Sequence, residues 1–254
     1  IAADIRAPLP LPPFTNSAVD GYAVRSADLP LAGQQPFPVT GRIQAGAAPG
    51  AAIAPGHAVR IFTGAPMPED ADTVFMQEDV RIDESGQAVL PAGLKPGANV
   101  RPAGEDIAQD SVALPAGRRL RPQDVALASA LGLTQLEVRR RLRVAVFSTG
   151  NELVSPGGVR GKAQLFDSNR VMLMAMLARL GCVVSDLGIL RDERGSLAAA
   201  LKQAAAEHDL ILTSGGVSTG EEDHVKAAIE SVGTLVLWRM AIKPGRPVAM
   251  GVID

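Results

Sequence analysis

The sequence predicts an α/β protein in which a doubly wound parallel sheet fills the C-terminal half, preceded by a β-rich domain and a small linking segment. From residue 142 onward, short apolar strands alternate with helices, which is typical of βαβ units. Before that point, short β-prone runs are separated by Gly/Pro turns. Of the 254 residues, 46% are hydrophobic and 20% are charged, so we expect a well-buried core.

The first half divides into two predicted parts. A β-rich domain covers residues 15–103, and a linking segment comprises residues 1–14 and 104–141. The β-prone runs that predict a mainly antiparallel domain are 37–40, 58–62, 73–76 and 88–90. A helix is predicted to begin at Pro122 and to end at Gly132. The residues spaced for its buried face are Val125, Leu127, Ala128 and Leu131.

The α/β domain is predicted over residues 142–254. Residues 142–147 form a compact apolar run, as expected of a strand buried on both faces of a parallel sheet. Asp167 or Ser168 is expected to cap a helix over 169–180 that ends at Gly181. The remaining predicted elements are a strand at 183–190, a helix at 196–207, a strand at 210–212, a helix at 221–231 and strands at 235–237 and 248–252.

Glycine-containing loops follow several of these strands, where a doubly wound sheet binds its ligands. The loop at 213–220 leaves a strand and enters a helix, so its amides and the helix N-terminus can receive a phosphate. Alternatively, it is a tight turn whose following acids complement the helix dipole. Lys243, after another strand, is either a point charge for an oxyanion or a surface lysine.

Three carboxylates lie just past predicted strand ends: Glu152, Asp192 and Asp223. Because the carboxyl ends of parallel strands share one edge, these side chains can converge on one cleft. Such oxygen ligands suit Mg²⁺, which bridges to substrate phosphates. The alternative is that each is an exposed loop acid.

Residues 216–220 also read G-x-S-x-G, the pattern of a hydrolase nucleophile elbow. The only later histidine, His224, lies about a turn beyond Ser218 and is poorly placed as a general base. A serine hydrolase is therefore the weaker interpretation.

The composition argues against several other classes of protein. A net charge of −2 and an aromatic content of 3% argue against nucleic-acid binding. Cys182 is the only cysteine, so neither an internal disulfide nor a cysteine-based metal cluster is expected. No apolar stretch is long enough to cross a bilayer, and a cytoplasmic protein is the simplest expectation. Since the chain begins at Ile1 and ends at Asp254 after an apolar run, we expect a piece of a longer polypeptide, truncated at both ends.

The order of the motifs resembles that of MoeA-type molybdopterin molybdenumtransferases, the family that includes the E domain of gephyrin. The resemblance extends over essentially the whole chain. It is carried by residues 12–14 (Pro-Pro-Phe), 16–25 (Asn-Ser-Ala-Val-Asp-Gly-Tyr-Ala-Val-Arg), 60–66 (Arg-Ile-Phe-Thr-Gly-Ala-Pro), 104–107 (Gly-Glu-Asp-Ile), 148–153 (Ser-Thr-Gly-Asn-Glu-Leu), 167–169 (Asp-Ser-Asn), 214–218 (Ser-Gly-Gly-Val-Ser) and 243–247 (Lys-Pro-Gly-Arg-Pro). The 167–169 and 214–218 motifs also occur in molybdopterin adenylyltransferases, which share the α/β domain.

The resemblance implies an α/β domain of the molybdopterin-binding type and a homodimer. It implies insertion of molybdenum from molybdate into adenylated molybdopterin, with Mg²⁺-dependent release of AMP. A molybdopterin adenylyltransferase is an expected partner, and adenylyl transfer itself is the alternative activity. A non-catalytic scaffold module is the alternative of another class.

The resemblance also carries over site residues by position. The catalytic positions are Asp20, Thr63, Asp106, Glu152, Asp192, Asp223 and Lys243, of which Glu152, Asp192 and Asp223 are the expected metal ligands. Positions expected to bind the molybdopterin substrate are Ser148, Thr149, Gly150, Ser214, Gly215, Gly216, Val217, Ser218, Arg239, Lys243, Pro244 and Gly245. Asp20 and Thr63 would reach the cleft from the second subunit of a dimer. Arg239 stands where the family commonly has a lysine.

Overall fold

The computed structural model describes residues 1–48, 50–216, 224–242 and 248–253. The chain divides into two compact units, Ile1–Arg139 and Arg140–Asp254. The finer division into a linking segment, a β-rich domain and an α/β domain stays a prediction.

The regular secondary structure of the first unit is mainly β-strand, as predicted. Its strands are β1 (Ile5–Arg6), β2 (Asn16–Ser17), β3 (Gly21–Val24), β4 (Gln34–Phe37), β5 (Val39–Ile43), β6 (Ala58–Ile61), β7 (Thr73–Met76), β8 (Arg81–Ile82), β9 (Ala88–Pro91), β10 (Val100–Arg101) and β11 (Val112–Leu114). Two 3-10 turns span Ser26–Asp28 and Gln77–Asp79, and the helix α1 spans Pro122–Ala130.

Two small sheets form the centre of this unit. One has the strand order β5-β6-β3-β7 and the other β4-β9-β8, and all their pairings are antiparallel except β5 with β6. Phe37 and Leu90 from one sheet and Phe75 from the other share one apolar cluster, which packs the sheets together. The run predicted at 37–40 is divided between β4 and β5 at Pro38, which has no N–H to donate.

Helix α1 begins at Pro122 and is followed by Gly132 with φ +75°, as predicted. The prediction that Val125 lies on its buried face is wrong, because 51% of Val125 is exposed. Asp124 is buried instead, at 3% exposure. Its carboxylate accepts hydrogen bonds from Arg118 Nε and from the backbone amide of Arg121, both at 2.9 Å. These bonds satisfy the buried carboxylate and decide which face of the helix is covered.

The second unit alternates strands and helices. Its elements are β12 (Arg143–Thr149), β13 (Leu153–Val154), β14 (Leu165–Phe166), α2 (Asn169–Leu180), β15 (Val183–Leu190), α3 (Arg194–Glu207), β16 (Leu210–Ser214), α4 (His224–Val232), β17 (Gly233–Trp238) and β18 (Ala249–Ile253). The predicted bounds of α2 and β15 are confirmed, whereas α3 begins two residues earlier than predicted. The predicted start of the last helix, at 221–223, lies outside the described residues.

The parallel sheet has the order β15-β12-β16 and carries helices on both faces. On one face, Leu177 of α2 packs against Val144 and Val146 of β12. On the other face, Phe147 of β12 packs against residues of α3 and α4. The predicted doubly wound arrangement is therefore confirmed, with β17 and β18 forming an additional antiparallel pair.

A buried polar network fixes the helix α2 to the sheet. Asp167 is 2% exposed and Arg170 is 5% exposed. The Arg170 Nε atom donates to Asp167 Oδ2 at 2.8 Å, and the Ser148 hydroxyl donates to Asp167 Oδ1 at 3.1 Å. The backbone amide of Arg170 donates to Asp167 Oδ1 at 3.2 Å, so Asp167 caps α2, and Ser168 makes no side-chain cap bond.

Arg170 also forms an ion pair with Asp186 of β15. The hydrogen bond to Asp167 is the main cause of a raised pKa at Arg170. Burial by itself would raise the pKa of Asp186, but the bonds from Arg170 and from the Gly188 amide outweigh it and lower that pKa. Both groups are therefore charged. Arg170 connects α2 to β15 through Asp186, and Asp167 connects the same network to β12 through Ser148.

We expect Arg170→Met to destabilise the second unit by about 3 kcal/mol, because it leaves the buried Asp167 carboxylate without its cation. Urea unfolding followed by circular dichroism measures the loss. Arg179→Met is the matched control, since Arg179 is an exposed residue of the same helix. Equal unfolding midpoints for the two variants would contradict a stabilising role for the pair.

We also expect Asp124 to make a pH-dependent contribution to the stability of the first unit. Its pKa falls from 3.8 to about 2, chiefly because the Arg118 guanidinium hydrogen-bonds to it. A carboxyl group whose pKa is lower in the folded state than in the unfolded chain stabilises the fold at any pH above its pKa in the unfolded chain. This stabilisation is lost as the pH falls through the pKa of the group in the folded state. The stability difference between the wild type and Asp124→Asn should therefore be full above about pH 4 and should shrink towards pH 2. Urea midpoints measured across this range test it, and a pH-independent difference would refute it.

Candidate functional site at the carboxyl edge of the parallel sheet

The carboxyl ends of the three parallel strands meet at one edge. The register pairs Thr149 of β12 with Leu190 of β15, and Ser148 of β12 with Ser214 of β16. The strand ends and loops at this edge contain the predicted substrate-binding positions Ser148, Thr149, Gly150, Ser214, Gly215 and Gly216. The sequence prediction that these residues come together is consistent with this parallel register.

Glu152 lies against the end of β12. The backbone turns after the strand, and the Leu153 amide donates to the Gly150 carbonyl at 3.1 Å. A Cβ atom added to Gly150 would lie 2.8 Å from both carboxylate oxygens of Glu152. The absence of a side chain at Gly150 therefore leaves space for the Glu152 carboxylate beside the strand end.

Gly215 and Gly216 bring the loop after β16 into direct contact with Thr149. Both have positive φ, of +93° and +65°. A Cβ atom on Gly215 would lie 2.1 Å from the Thr149 carbonyl oxygen, and one on Gly216 would lie 2.5 Å from Thr149 Cγ2. The Cβ atom added to Gly216 would also lie 3.6 Å from Asp192 Oδ1. Only glycine satisfies both the conformation and this close approach, and Asp192 lies at the same edge as Thr149.

Three buried side-chain oxygens of this region have no hydrogen-bond partner among the described residues. They are Thr149 Oγ1, Asp192 Oδ1 and Thr213 Oγ1. Buried polar atoms are nearly always paired, and leaving one unpaired costs free energy. Thr149 is only 1% exposed and lines the cavity described next. Thr149 therefore combines a buried hydroxyl that has no described partner with a place in the cavity wall.

A cavity of about 230 Å³ opens at this edge. The residues that line it are Thr149, Glu152, Leu153, Leu165, Phe166, Asp167, Ser168, Asn169, Ser214 and Gly215. The Asn169 side-chain amide donates to the Ser214 hydroxyl at 3.0 Å, which joins the 167–169 motif to the 214–218 motif. We call this the sheet-edge cavity.

The strand pair β13 and β14 holds one wall of the sheet-edge cavity. The Leu165 amide donates to the Glu152 carbonyl at 2.7 Å, and the Asp167 amide donates to the Val154 carbonyl at 2.9 Å. Reasoning from the sequence missed Leu153, Leu165 and Phe166 as lining residues, because these strands are only two residues long. Asn169, by contrast, belongs to the Asp-Ser-Asn motif at 167–169, which the sequence analysis singled out.

Several predicted site residues lie outside the described residues: Val217, Ser218, Asp223, Lys243, Pro244 and Gly245. Arg239 is described and is exposed, with φ +67°, and its amide donates to the Val248 carbonyl at 3.0 Å. It does not line the sheet-edge cavity as far as the cavity is described. The placement of these residues in a substrate site stays a prediction.

The residues present fit Mg²⁺ in their chemistry. Glu152 and Asp192 both supply carboxylate oxygens next to the β12 end, and one oxygen of Asp192 is buried without a described partner. Hard oxygen ligands of this kind are those that Mg²⁺ prefers. The described part of the chain holds no group of three or more His, Cys, Asp or Glu side chains that could bind a metal. The third predicted ligand, Asp223, is outside that part, so the metal site stays a prediction.

In the first unit, Asp20 and Thr63 are brought together. Asp20 precedes β3 and Thr63 follows β6, and these strands pair Gly21 with Ile61. The Thr63 hydroxyl and amide both donate to Asp20 Oδ1, at 2.7 and 2.8 Å. The hydroxyl bond is the main cause of a lowered pKa at Asp20, with the amide bond and the positive charge of Arg60 acting in the same direction. Asp20 is therefore an ionised, positioned carboxylate.

Asp106 has different partners. Arg101 donates to Asp106 at 2.6 Å and to Glu105 at 2.8 Å, and these bonds raise the pKa of Arg101. Asp106 forms no hydrogen bond to Asp20 or Thr63 within the described residues. Its predicted catalytic role therefore rests on the sequence resemblance alone.

Two of the three described histidines, His57 and His208, make ordinary structural contacts. One ring nitrogen of His208 contacts the Ala204 carbonyl at 2.9 Å and the other contacts the Ser185 hydroxyl at 2.7 Å. His57 contacts the Pro55 carbonyl at 2.9 Å. No described helix is long and apolar enough to cross a membrane.

Comparisons with known proteins agree with this arrangement. Residues 1–132 match the family described as "MoeA N-terminal region (domain I and II)", and residues 145–253 match "Probable molybdopterin binding domain". A protein named molybdopterin molybdenumtransferase from Haemophilus influenzae is 42% identical over 100% of this chain and 62% of its own length. Its namesake from Nostoc sp. is 36% identical over 98% of this chain and 58% of its own length.

A solved structure of a molybdopterin biosynthesis MoeA protein from Pyrococcus horikosii superposes with a TM-score of 0.80 at 36% identity. That match covers 100% of this chain and 64% of the Pyrococcus chain. The chain thus spans 58–64% of the length of these relatives. Since the match to the MoeA N-terminal region alone covers residues 1–132 of the 254, the chain belongs to the MoeA family.

Proposed function

We propose that this protein acts in molybdenum cofactor biosynthesis as a molybdenumtransferase, inserting molybdenum from molybdate into adenylated molybdopterin with release of AMP. The carrying observation is the carboxyl edge of the parallel sheet, where the buried Thr149 hydroxyl and one Asp192 carboxylate oxygen lack described partners and where Thr149 lines the sheet-edge cavity. The names of the relatives at 36–42% identity support the reaction.

In this proposal the sheet-edge cavity binds the molybdopterin substrate. The Thr149 hydroxyl and the Ser214–Gly216 backbone lie where a phosphate would enter, and close approach is possible because Gly215 and Gly216 carry no side chain. Asn169 orients the Ser214 hydroxyl through their 3.0 Å bond. Arg239 and the residues Val217, Ser218, Lys243, Pro244 and Gly245, which lie outside the described part of the chain, are also proposed to bind the substrate.

Glu152 and Asp192, together with Asp223, are proposed to hold Mg²⁺. Bound there, Mg²⁺ would supply positive charge that stabilises the negative charge developing as AMP leaves. The residues themselves fix the geometry: Glu152 lies over Gly150, and Asp192 lies beside Gly216. Preorganised groups of this kind need no rearrangement during the reaction.

The proposal includes a homodimer in the cytoplasm. Asp20 and Thr63 would enter the cavity of the second subunit, and Asp106 would support that region. The support from this chain is that Asp20 is held ionised by Thr63 and remains only partly buried. Interaction with a molybdopterin adenylyltransferase, which would supply the adenylated substrate, completes the proposal.

We expect Glu152→Gln to lower molybdate-dependent AMP release by about a hundredfold, because it removes a charged group at the reacting centre. The assay supplies adenylated molybdopterin, Mg²⁺ and molybdate, and measures AMP. Glu84→Gln is the control, since Glu84 is exposed in a turn of the first unit. Release without any dependence on molybdate, or equal rates for both variants, would overturn the assignment.

We expect Gly215→Ala to weaken AMP binding at least about tenfold, because the new Cβ would lie 2.1 Å from the Thr149 carbonyl oxygen and displace the loop. Calorimetric titration with AMP measures the effect. Gly195→Ala is the matched control: no atom lies within 4 Å of its Cβ position, and it belongs to α3. If AMP binds equally to both variants, the nucleotide does not use this loop.

A further inference from the structure

A second cluster of polar groups lies on the four-stranded sheet of the first unit. In the strand register, Arg42 of β5 lies directly opposite Arg60 of β6, and Arg60 lies opposite Tyr22 of β3. The row therefore places two guanidinium groups and one phenol side by side across three neighbouring strands. Phe62 follows Arg60 by two residues, just beyond the end of β6.

The two arginines lack a carboxylate partner. Neither forms an ion pair within the described part of the chain. Two positive charges that contact the same aromatic ring repel each other. Asp20 feels the charge of Arg60 but is bonded to Thr63. The row formed by Arg42 and Arg60 thus carries an excess of positive charge. An anion bound between the two arginines would relieve their repulsion.

Aromatic rings hold the guanidinium groups in place. The Arg42 and Arg60 guanidinium carbons lie 4.6 and 4.8 Å from the centre of the Phe62 ring, and Arg60 lies 5.0 Å from that of Tyr22. Stacking uses the face of a guanidinium and leaves the N–H donors at its edge available for a bidentate contact. The ring therefore positions the donors without occupying them.

The two arginines differ in how many donors remain. Arg60 donates to the Gly21 carbonyl at 3.1 Å and to the Gln77 side chain. Arg42 is exposed and makes no hydrogen bond that the described residues account for, apart from its ring contact with Phe62. Arg42 is thus the group free to bind a ligand, and Arg60 is the fixed charge beside it.

We infer that Arg42 and Arg60, stacked on Phe62, form a binding subsite for a tetrahedral oxyanion. The planar fork of Arg42 matches two oxygens of such an anion, and Arg60 supplies a second positive charge. The same chemistry is presented by the phosphate group of a nucleotide and by a free oxyanion such as phosphate or molybdate. The subsite belongs to the first unit, uses none of the residues that line the sheet-edge cavity, and does not depend on the proposed transferase activity.

The test is calorimetric titration of the protein with inorganic phosphate, molybdate and AMP, one at a time. Arg42→Gln should weaken binding about tenfold or more, since it removes charge-assisted hydrogen bonds. Arg42→Lys should give an intermediate loss, because it keeps the charge and loses the fork. Arg81→Gln is the control with the same change of charge, at an exposed position on β8 of the same unit.

The outcomes distinguish a free oxyanion from the phosphate group of a nucleotide as the ligand. Weakening for all three probes identifies the oxyanion itself as the ligand, and weakening for AMP alone assigns the subsite to a nucleotide phosphate. Repeating the titration with Gly215→Ala separates this subsite from the sheet-edge cavity, because binding at Arg42 should persist in that variant. Unchanged affinity in Arg42→Gln, an equal loss in Arg81→Gln, or no binding of any probe to the wild type would overturn the inference.

Discussion

The arrangement of the sheet edge depends on one buried ion pair, between Asp167 and Arg170. The Asp167 carboxylate accepts from Ser148 on the central strand and from the first turn of α2, while Arg170 extends the contact to Asp186 on β15. Charges buried at this depth are stable only when each is fully bonded. Because every partner comes from a different element, the pair can form only when strand, loop and helix have their final positions.

Close backbone contact imposes the second constraint on the same edge. Gly215 and Gly216 approach Thr149 so closely that a side chain on either would overlap it. The contact brings three loops together, yet it leaves the Thr149 hydroxyl and an Asp192 oxygen without described partners. Unsatisfied buried groups of this kind are typical of functional sites, where the cost in stability is accepted because a ligand completes the bonding.

The first unit places its charges differently. Apart from the buried Asp124, the ionised side chains described above lie on partly exposed surfaces, where aromatic rings and hydroxyl groups position them. Thr63 holds Asp20, and Phe62 holds Arg42 and Arg60. Because water still reaches such groups, their electrostatic interactions contribute less to stability than those of the buried pair, and they remain accessible to ligands.

The sequence by itself determined the longer strands and the helices of the second unit, although not the two-residue strands β13 and β14. The bounds of α2 follow from Asp167 before it and Gly181 after it, since capping acts within a few residues. The apolar run of β12 likewise indicated a central strand. Local patterns also placed the loops around Glu152 and Gly215 at the carboxyl edge of the sheet, because parallel strands fix where their loops emerge.

Only the tertiary structure decided which side chains meet. That Asp124 rather than Val125 is buried depends on Arg118, and that Arg42 opposes Arg60 depends on the pairing of strands 18 residues apart at that register. The unpartnered oxygen of Thr149 likewise results from the approach of a distant loop. Periodicity and propensity describe neighbours along the chain, whereas burial and pairing are set by residues that only folding brings into contact.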